Sequence, residues 1–252
     1  MSCVIDLASR RKTPTALKCL YHPSGINLPF DKQSDAHLII PEVRSAICTG
    51  AYSAGITGLL ADVVQPGDRV LVLGAGLGLV STLVAKSPGV ERVIAIEANT
   101  ELAPYIERTH ALNGVPWVET VNAVLADGRM GGAPFFSRSD IRTSSLLPED
   151  GPWIKPMLVP GIDLNLILIE EQISLVICDI PGASAQLLAW AGLGLVDRIL
   201  INSGDNPAEK DQVGKEVCPL LAVKGFAAEN HGDITLFERQ GTEAWPVILN
   251  AV

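Results

Sequence analysis

Basic side chains, aromatics and paired cysteines are all sparse in this sequence of 252 residues. Nineteen lysines and arginines face 28 aspartates and glutamates, a formal net charge of −9. Phosphate contacts need clustered Lys and Arg, so this balance opposes a non-specific nucleic-acid binder and favours a small substrate or a protein partner. Cys3, Cys19, Cys48, Cys178 and Cys218 are odd in number and have no CxxC spacing. They read as reduced, mostly packing thiols, and the chain as cytoplasmic. The opening residues, MSCVIDLASRRK, lack the ~7–15-residue apolar stretch of a signal peptide. The longest uncharged runs, Val70–Ala85 and Ile180–Val196, are interrupted by glycines and fall short of a span of ~20 residues, so no transmembrane helix is expected. HExxH, GxSxG and GxxxxGK[ST] are missing as well, which removes the commonest hydrolase and nucleoside-triphosphate signatures. What is abundant is apolar substance. At 48 % hydrophobic and 19 % charged, the chain can build a full core without metal or disulfide staples.

Residues 1–45 carry Pro14, Pro23, Pro29 and Pro41 and no sustained period, which predicts an N-terminal arm or cap. Apolar spacing over Ser45–Val64 predicts a helix stopped by Pro66-Gly67-Asp68. A regular alternation then begins. RVLVLG (69–74) has the length and composition of a buried strand, AGLG that of a turn, and LVSTLVAKS that of a helix closed by Pro88-Gly89. RVIAIEA (92–98) is a second strand, Thr100–Asn113 a helix and VETVNAV (118–124) a third strand. An insertion near 129–172 follows, with a hairpin predicted between APFFSRS and SSLLP and a turn of helix near Leu164–Gln172. SLVICDI (174–180), a helix over Ala183–Ala191 and RILINSG (198–204) resume the rhythm. Glu209–Val217 is a short helix ended by Pro219, and GFAAENHG with DITLFERQ forms an antiparallel pair. Apolar strands alternating with helices imply a parallel sheet covered on both faces. The expectation is an α/β domain over 46–252, its seven-stranded sheet mostly parallel with an antiparallel C-terminal strand.

Gly74-Ala75-Gly76-Leu77-Gly78 leaves a strand and opens a helix. Glycine suits such a turn because the backbone bends sharply and comes close to a ligand, with amides pointing out of the helix N-terminus. A dinucleotide turn, GxGxxG, would place a small residue where Leu79 stands, which argues against a nicotinamide-dependent oxidoreductase. The GxGxG spacing is similar to the turn that holds S-adenosylmethionine in Rossmann-like methyltransferases. Glu97 follows Gly74 by 23 residues and ends the second strand, where a carboxylate accepts both hydrogens of a ribose diol. Ala98 lies beside it. Asn122 and Ala123 end the third strand, where an Asn side chain meets an exocyclic amine and the Ala123 N–H a ring nitrogen. A solvated Glu97 and a turn-forming Asn122 are the plainer readings of the same residues.

From Thr49 to the C-terminus the sequence resembles the FkbM-type S-adenosylmethionine-dependent methyltransferases. The likeness rests on TGAY (49–52), VQPGDRVLVLGAGLG (64–78), VIAIEANTEL (93–102), NAVLADG (122–128), VPGIDLNLIL (159–168) and LVICDIPGASAQLL (175–188). It implies a class I, Rossmann-like methyltransferase fold, S-adenosyl-L-methionine as cofactor, and methyl transfer to a hydroxyl of a small molecule. The chain departs from the family at Val72, an acidic position there, at Asp179–Ser184, where two glutamates are missing, and at Tyr52-Ser53 in place of Tyr-Glu. A methyltransferase-like fold that binds without catalysis is therefore the rival reading.

Methyl transfer from a sulfonium is an in-line displacement, so alignment supplies much of the acceleration, and a hydroxyl acceptor adds the need for a base. Asp179, at the end of the fourth strand, faces the crevice where open α/β sheets bind ligands and is the candidate catalytic residue; the alternative is a cap on the following helix. Asp179 with Asp205-Asn206 has hard oxygens suited to Mg²⁺, but the pair sits past a strand end beside Pro207, and no metal site is expected. His110 reads as packing; His22 and His37 lie in the arm, and His231 at the last turn. Tyr21 and Trp153 are candidates for an acceptor wall or for core. The expected partner is a small-molecule acceptor, with neither nucleic acid nor membrane; a homo-oligomer is compatible with the sequence.

Overall fold

Apolar runs with no polar side leave neither face of a strand to water, so they come to rest in the middle of a covered sheet. A computed structural model of the protein describes residues 4–6, 18–126, 131–180, 182–204 and 207–241. Its elements begin with β1 (Val4–Asp6), β2 (Lys18–His22), β3 (Ile26–Pro29), α1 (Pro41–Thr49) and α2 (Ala54–Val63). Next come β4 (Arg69–Leu73), α3 (Leu79–Lys86), β5 (Arg92–Glu97), α4 (Ala103–Leu112), β6 (Glu119–Asn122) and β7 (Val124–Ala126). The insertion holds β8 (Gly132–Ser137), β9 (Lys155–Asp163) and α5 (Leu164–Glu170). The chain continues with β10 (Leu175–Cys178), α6 (Ser184–Trp190), β11 (Arg198–Asn202), α7 (Pro207–Gln212), α8 (Cys218–Val223), β12 (Phe226–His231) and β13 (Ile234–Arg239).

Seven strands form the main sheet in the order β12–β13–β11–β10–β4–β5–β6. β11, β10, β4, β5 and β6 run parallel, and β13 is antiparallel to both of its neighbours. Alternation within the strands divides the core. Val70 and Val72 pack with α2, α3 and α4 on one face, while Leu71 and Leu73 pack with α5, α6 and α8 on the other. The arm joins the first core through Leu20, Ile26 and Leu28. It is pinned to α4 by Asn113, which accepts from Asn27 N at 2.9 Å and donates to Asn27 O at 2.7 Å, and by an Arg108–Asp35 ion pair at 2.7 Å.

The structure departs from the expected elements in four places. The stretch Pro41–Val63 is long and apolar enough for a membrane crossing by length and composition, but it folds as α1 and α2, broken at 50–53, with Gly50 and Ser53 both left-handed. Pro219 does not end a helix. It occupies the first turn of α8, where its missing N–H breaks no bond, and a π-helical turn over Val213–Val217 joins α7 to α8. The hairpin partner of β8 is β9 and not SSLLP, which meets β8 only through a Phe136–Ser145 bridge. The residues between coil around Arg138, whose guanidinium donates to the carbonyls of Phe136, Thr143 and Leu147. Lastly, Cys48 is disulfide-bonded, its partner lying outside the described residues, so the expectation of five reduced thiols fails there.

One buried ion pair ties the lower end of the sheet to α2. Asp68 Oδ1 accepts from Arg198 Nη2 at 2.6 Å and from Ser174 Oγ at 2.7 Å, its Oδ2 accepts from Gln65 N at 2.7 Å, and Arg198 Nη1 donates to Val63 O. Breaking such a pair strands a charge in the core. Arg198→Met should lower the unfolding free energy by ~3–5 kcal/mol in denaturant titration, and adding Asp68→Asn should recover part of the loss.

Candidate functional site

The turn between β4 and α3 is glycine-rich for reasons specific to each position. Gly74, Gly76 and Gly78 all have positive φ, at 76°, 56° and 78°. A Cβ on Gly74 would lie 2.2 Å from Asp179 O, so the backbones of the β4 and β10 ends meet there; one on Gly78 would press on Ile106 of α4. A Cβ on Gly76 would lie 2.7 Å from the Tyr52 hydroxyl. Every amide of the turn has an intramolecular acceptor. Gly74 and Ala75 donate to Ile96 O, Gly76 to Glu97 Oε2, Leu77 to Tyr52 Oη and Gly78 to Ala75 O. The amides of residues 74–78 are thus spent within the chain.

Glu97 closes β5 against this turn. Its Oε2 accepts from Gly76 N and its Oε1 from Asn99 N, both at 2.8 Å, and the side chain is 7 % exposed. A carboxylate has about two acceptor positions per oxygen, so each oxygen keeps one for a ligand hydroxyl. Burial pushes its pKa up to about 7, against the pull of the two amides; the Asp179 charge adds to the rise. Asn122 Nδ2 donates to Glu97 O at 2.8 Å and to Ala98 O at 3.1 Å, which leaves Oδ1 as the acceptor for an exocyclic amine. The Ala123 N–H is committed to Glu97 O at 3.1 Å and so is taken before any ring nitrogen arrives. Ala98 packs against Val124, Phe135, Met157 and Val159, the inner face of the insertion sheet.

Asp179 follows β10 directly. It does not cap α6, whose N-cap Ala183 has no side-chain bond. Its Oδ1 accepts from Asn202 Nδ2 at 2.8 Å, and Asn202 Oδ1 in turn accepts from Gly204 N at 2.9 Å. Burial raises the Asp179 pKa, and the Asn202 bond opposes the rise. Glu209 of α7 is buried nearby, accepts from Gly182 N at 2.8 Å, and is raised by burial. Tyr52 lies within electrostatic reach of Asp179, Glu97 and Arg142, and burial lifts its pKa well above the ordinary phenol value. Sequence reasoning missed Asn202, Glu209 and Arg142 as parts of this neighbourhood. The first was findable: Cys178 pairs with Ile201 in parallel register, so the next residues, Asp179 and Asn202, must end side by side.

Other candidates fall elsewhere. His110 is buried on α4 with Nε2 2.8 Å from Ser81 Oγ, and burial lowers its pKa to about 4. His37 reaches Glu101 and His231 reaches Glu229. Trp153 stacks obliquely on Phe136 at 5.6 Å, in the insertion, and is 46 % exposed; Tyr21 is exposed on β2. Asp205, Asn206 and Pro181 lie outside the described residues, among which no group of three His, Cys, Asp or Glu is placed to hold a metal. A cavity of about 400 Å³ lies between the arm and α1, lined by Phe30, Ile39 and Arg44 among others.

No family model matches the chain. It is similar to a GTPase Obg of Moorella thermoacetica, 32 % identical over 143 residues, which make up 54 % of this chain and 30 % of that protein. A protein-L-isoaspartate O-methyltransferase of Aeropyrum pernix is 32 % identical over 111 residues, 42 % of each chain. The chain spans less than half the length of these curated relatives. Among solved structures, Trm5b of Pyrococcus abyssi aligns with a TM-score of 0.47 at 15 % identity, over 90 % of this chain and 55 % of that one. A precorrin-6y C5,15-methyltransferase of Geobacter metallireducens aligns at 0.44 and 16 %, over 73 % and 87 %. What decides the fold is the strand order on the page, with β4 central, β5 and β6 on one side, β10 and β11 on the other, and reversed β13 before edge strand β12. This is a class I methyltransferase fold. In that fold the glycine turn, Glu97 and Asp179 all sit at the C-terminal ends of the central strands, where open α/β sheets bind ligands.

A buried carboxyl with a raised pKa holds its proton more tightly folded than unfolded, so its contribution to stability is present below ~4.5 and is lost as pH rises through about 7. Glu97→Gln removes that titration. Between pH 5 and pH 8 the unfolding free energy of the wild type should fall by ~2–3 kcal/mol relative to Glu97→Gln, measured by urea denaturation at each pH.

Proposed function

We propose that the protein is an S-adenosylmethionine-dependent methyltransferase acting on a hydroxyl of a small molecule. The observation that carries this reading is the Glu97 carboxylate, held by Gly76 and Asn99 across the glycine turn with one acceptor position left on each oxygen. That is the acceptor pair a ribose diol requires, and Asn122 Oδ1 stands on the adjacent strand to accept from an adenine amine. When bound, the cofactor supplies a methyl group already activated by a sulfonium.

The chain's own residues then have three tasks. Glu97 and Asn122 fix the nucleoside so that the methyl faces the cleft. Asp179, pinned through Oδ1 by Asn202, keeps Oδ2 for the acceptor's hydroxyl proton, and its raised pKa makes it a stronger base than an exposed aspartate. With the cofactor held by Glu97 and Asn122, Asp179 would accept the hydroxyl proton as the acceptor oxygen takes the methyl group and the thioether leaves. Buried Glu97 and Glu209 with half-buried Asp179 make the cleft acidic, which disfavours polyanionic acceptors such as nucleic acids. The motif resemblance to FkbM-type enzymes supports the same chemistry, and the methyltransferase activity named for the Aeropyrum pernix relative supports methyl transfer in general.

A second reading, binding without catalysis, is favoured by Val72, which stands buried within β4 where that family carries an acid. Calorimetry separates the two. S-adenosylhomocysteine should bind and NADH should give no heat; Glu97→Ala should weaken the nucleoside ligand by ~1.5–3 kcal/mol. Unchanged affinity in Glu97→Ala removes the ribose role, and binding with no methyl transfer to any hydroxylated metabolite favours the non-catalytic reading.

A further inference from the structure

The glycine turn has no amide to spare, and one of its acceptors is out of character. Ile96, Glu97 and Ala75 are neighbours of the turn in the sheet or in sequence, whereas Tyr52 comes from the link between α1 and α2. Its side chain is buried, and its hydroxyl takes the Leu77 N–H at 3.3 Å, a long bond. The same oxygen lies over Gly76, at 2.7 Å from where a Cβ would be, and so fills the space that glycine at this position leaves open. Resting on the methyltransferase reading, we infer that Tyr52 is an internal stand-in for the ligand's amino-acid tail: its hydroxyl occupies the seat of the tail carboxylate on the Leu77 amide until the ligand displaces it.

Three observations support the exchange. A carboxylate makes a shorter, charge-assisted bond to an amide than a phenol does, so the incoming group outcompetes the resident one. Tyr52 sits on a joint, not within a helix: Gly50 has φ 81° and Ser53 φ 53°, with Tyr52 N held only by Ala46 O at 3.0 Å. Left-handed backbone at a non-glycine residue marks a stored constraint that a shift of the link would release. Finally, the groups facing the phenol are the carboxylates of Glu97 and Asp179 and the Arg142 guanidinium, and the arginine is itself engaged by Asp140 at 2.5 Å. Burial first, and the charges of Asp179 and Glu97 after it, keep the phenol protonated and bound as a neutral group. The exchange makes the site selective: a nucleoside without a tail leaves Tyr52 in place, whereas a nucleoside with one must move it.

The test compares S-adenosylhomocysteine with methylthioadenosine, which has the nucleoside but no amino-acid tail, on wild type and Tyr52→Phe by calorimetry. Removing the hydroxyl frees the Leu77 amide, so Tyr52→Phe should bind S-adenosylhomocysteine about tenfold more tightly and methylthioadenosine unchanged. In the ligand-free proteins the Leu77 amide should exchange with solvent several-fold faster in Tyr52→Phe, a readout independent of any ligand. Weaker or equal binding of S-adenosylhomocysteine, with methylthioadenosine still bound, overturns the stand-in and leaves the methyltransferase reading in force. If neither ligand binds either protein, that reading falls and the inference falls with it.

Discussion

Glu97 holds the upper end of the sheet together through both its backbone and its side chain. Its carbonyl accepts from Ala123 N and Asn122 Nδ2, which fixes where β6 stops, and its carboxylate bridges Gly76 and Asn99. One residue thus sets the distance between the β4 turn, the end of β5 and the end of β6. The cost is a carboxylate out of water, offset by two amide donors, and the raised pKa measures how incomplete the compensation is. Such a group gains from any ligand that adds donors to its spare acceptor positions. A diol with adjacent hydroxyls adds two.

The central sheet was legible because its strands are buried on both faces and therefore read as continuous apolar runs: RVLVL, RVIAIE, LVIC and RILIN fall where the structure has β4, β5, β10 and β11. The glycine turn and Glu97 followed from spacing along those strands. What sequence could not resolve depends on distant partners. The true mate of β8 lies beyond a segment organised by a single arginine, Arg138, whose donors reach carbonyls up to nine residues away. The break at 50–53 is carried by a serine in a left-handed conformation, which no propensity announces. Pro219 stops a helix only if it falls in the interior, and the π-helical turn before it shifts it into a first turn instead. Tyr52, Asn202 and Glu209 reach the cleft from three separate elements, and only Asn202 could be placed in advance, through strand register.

Charge at the cleft is arranged asymmetrically. Glu97, Asp179 and Glu209 are all raised by burial, and each of the other two is raised further by the charge of Asp179. The Arg142 guanidinium, a cation within electrostatic reach of Tyr52, is already paired with Asp140. Three acids sharing a low-dielectric region are each harder to ionise, and a positive ligand relieves all of them together. A sulfonium matches that requirement better than a dinucleotide with two phosphates.

The insertion completes the site from both ends. Its inner face covers Ala98 with Val124, Phe135, Met157 and Val159, and Thr100 meets Met157, so the region past Glu97 is walled with apolar side chains suited to a flat ring. Its turn over Ile141–Thr143 carries Arg142 toward Tyr52, while Ile141 packs on the core formed by α1 and α2. The same segment therefore lies both beside Ala98 and toward Tyr52. Neither contact involves the carboxylate of Glu97, so what lies between them can vary without disturbing the Glu97 bridge.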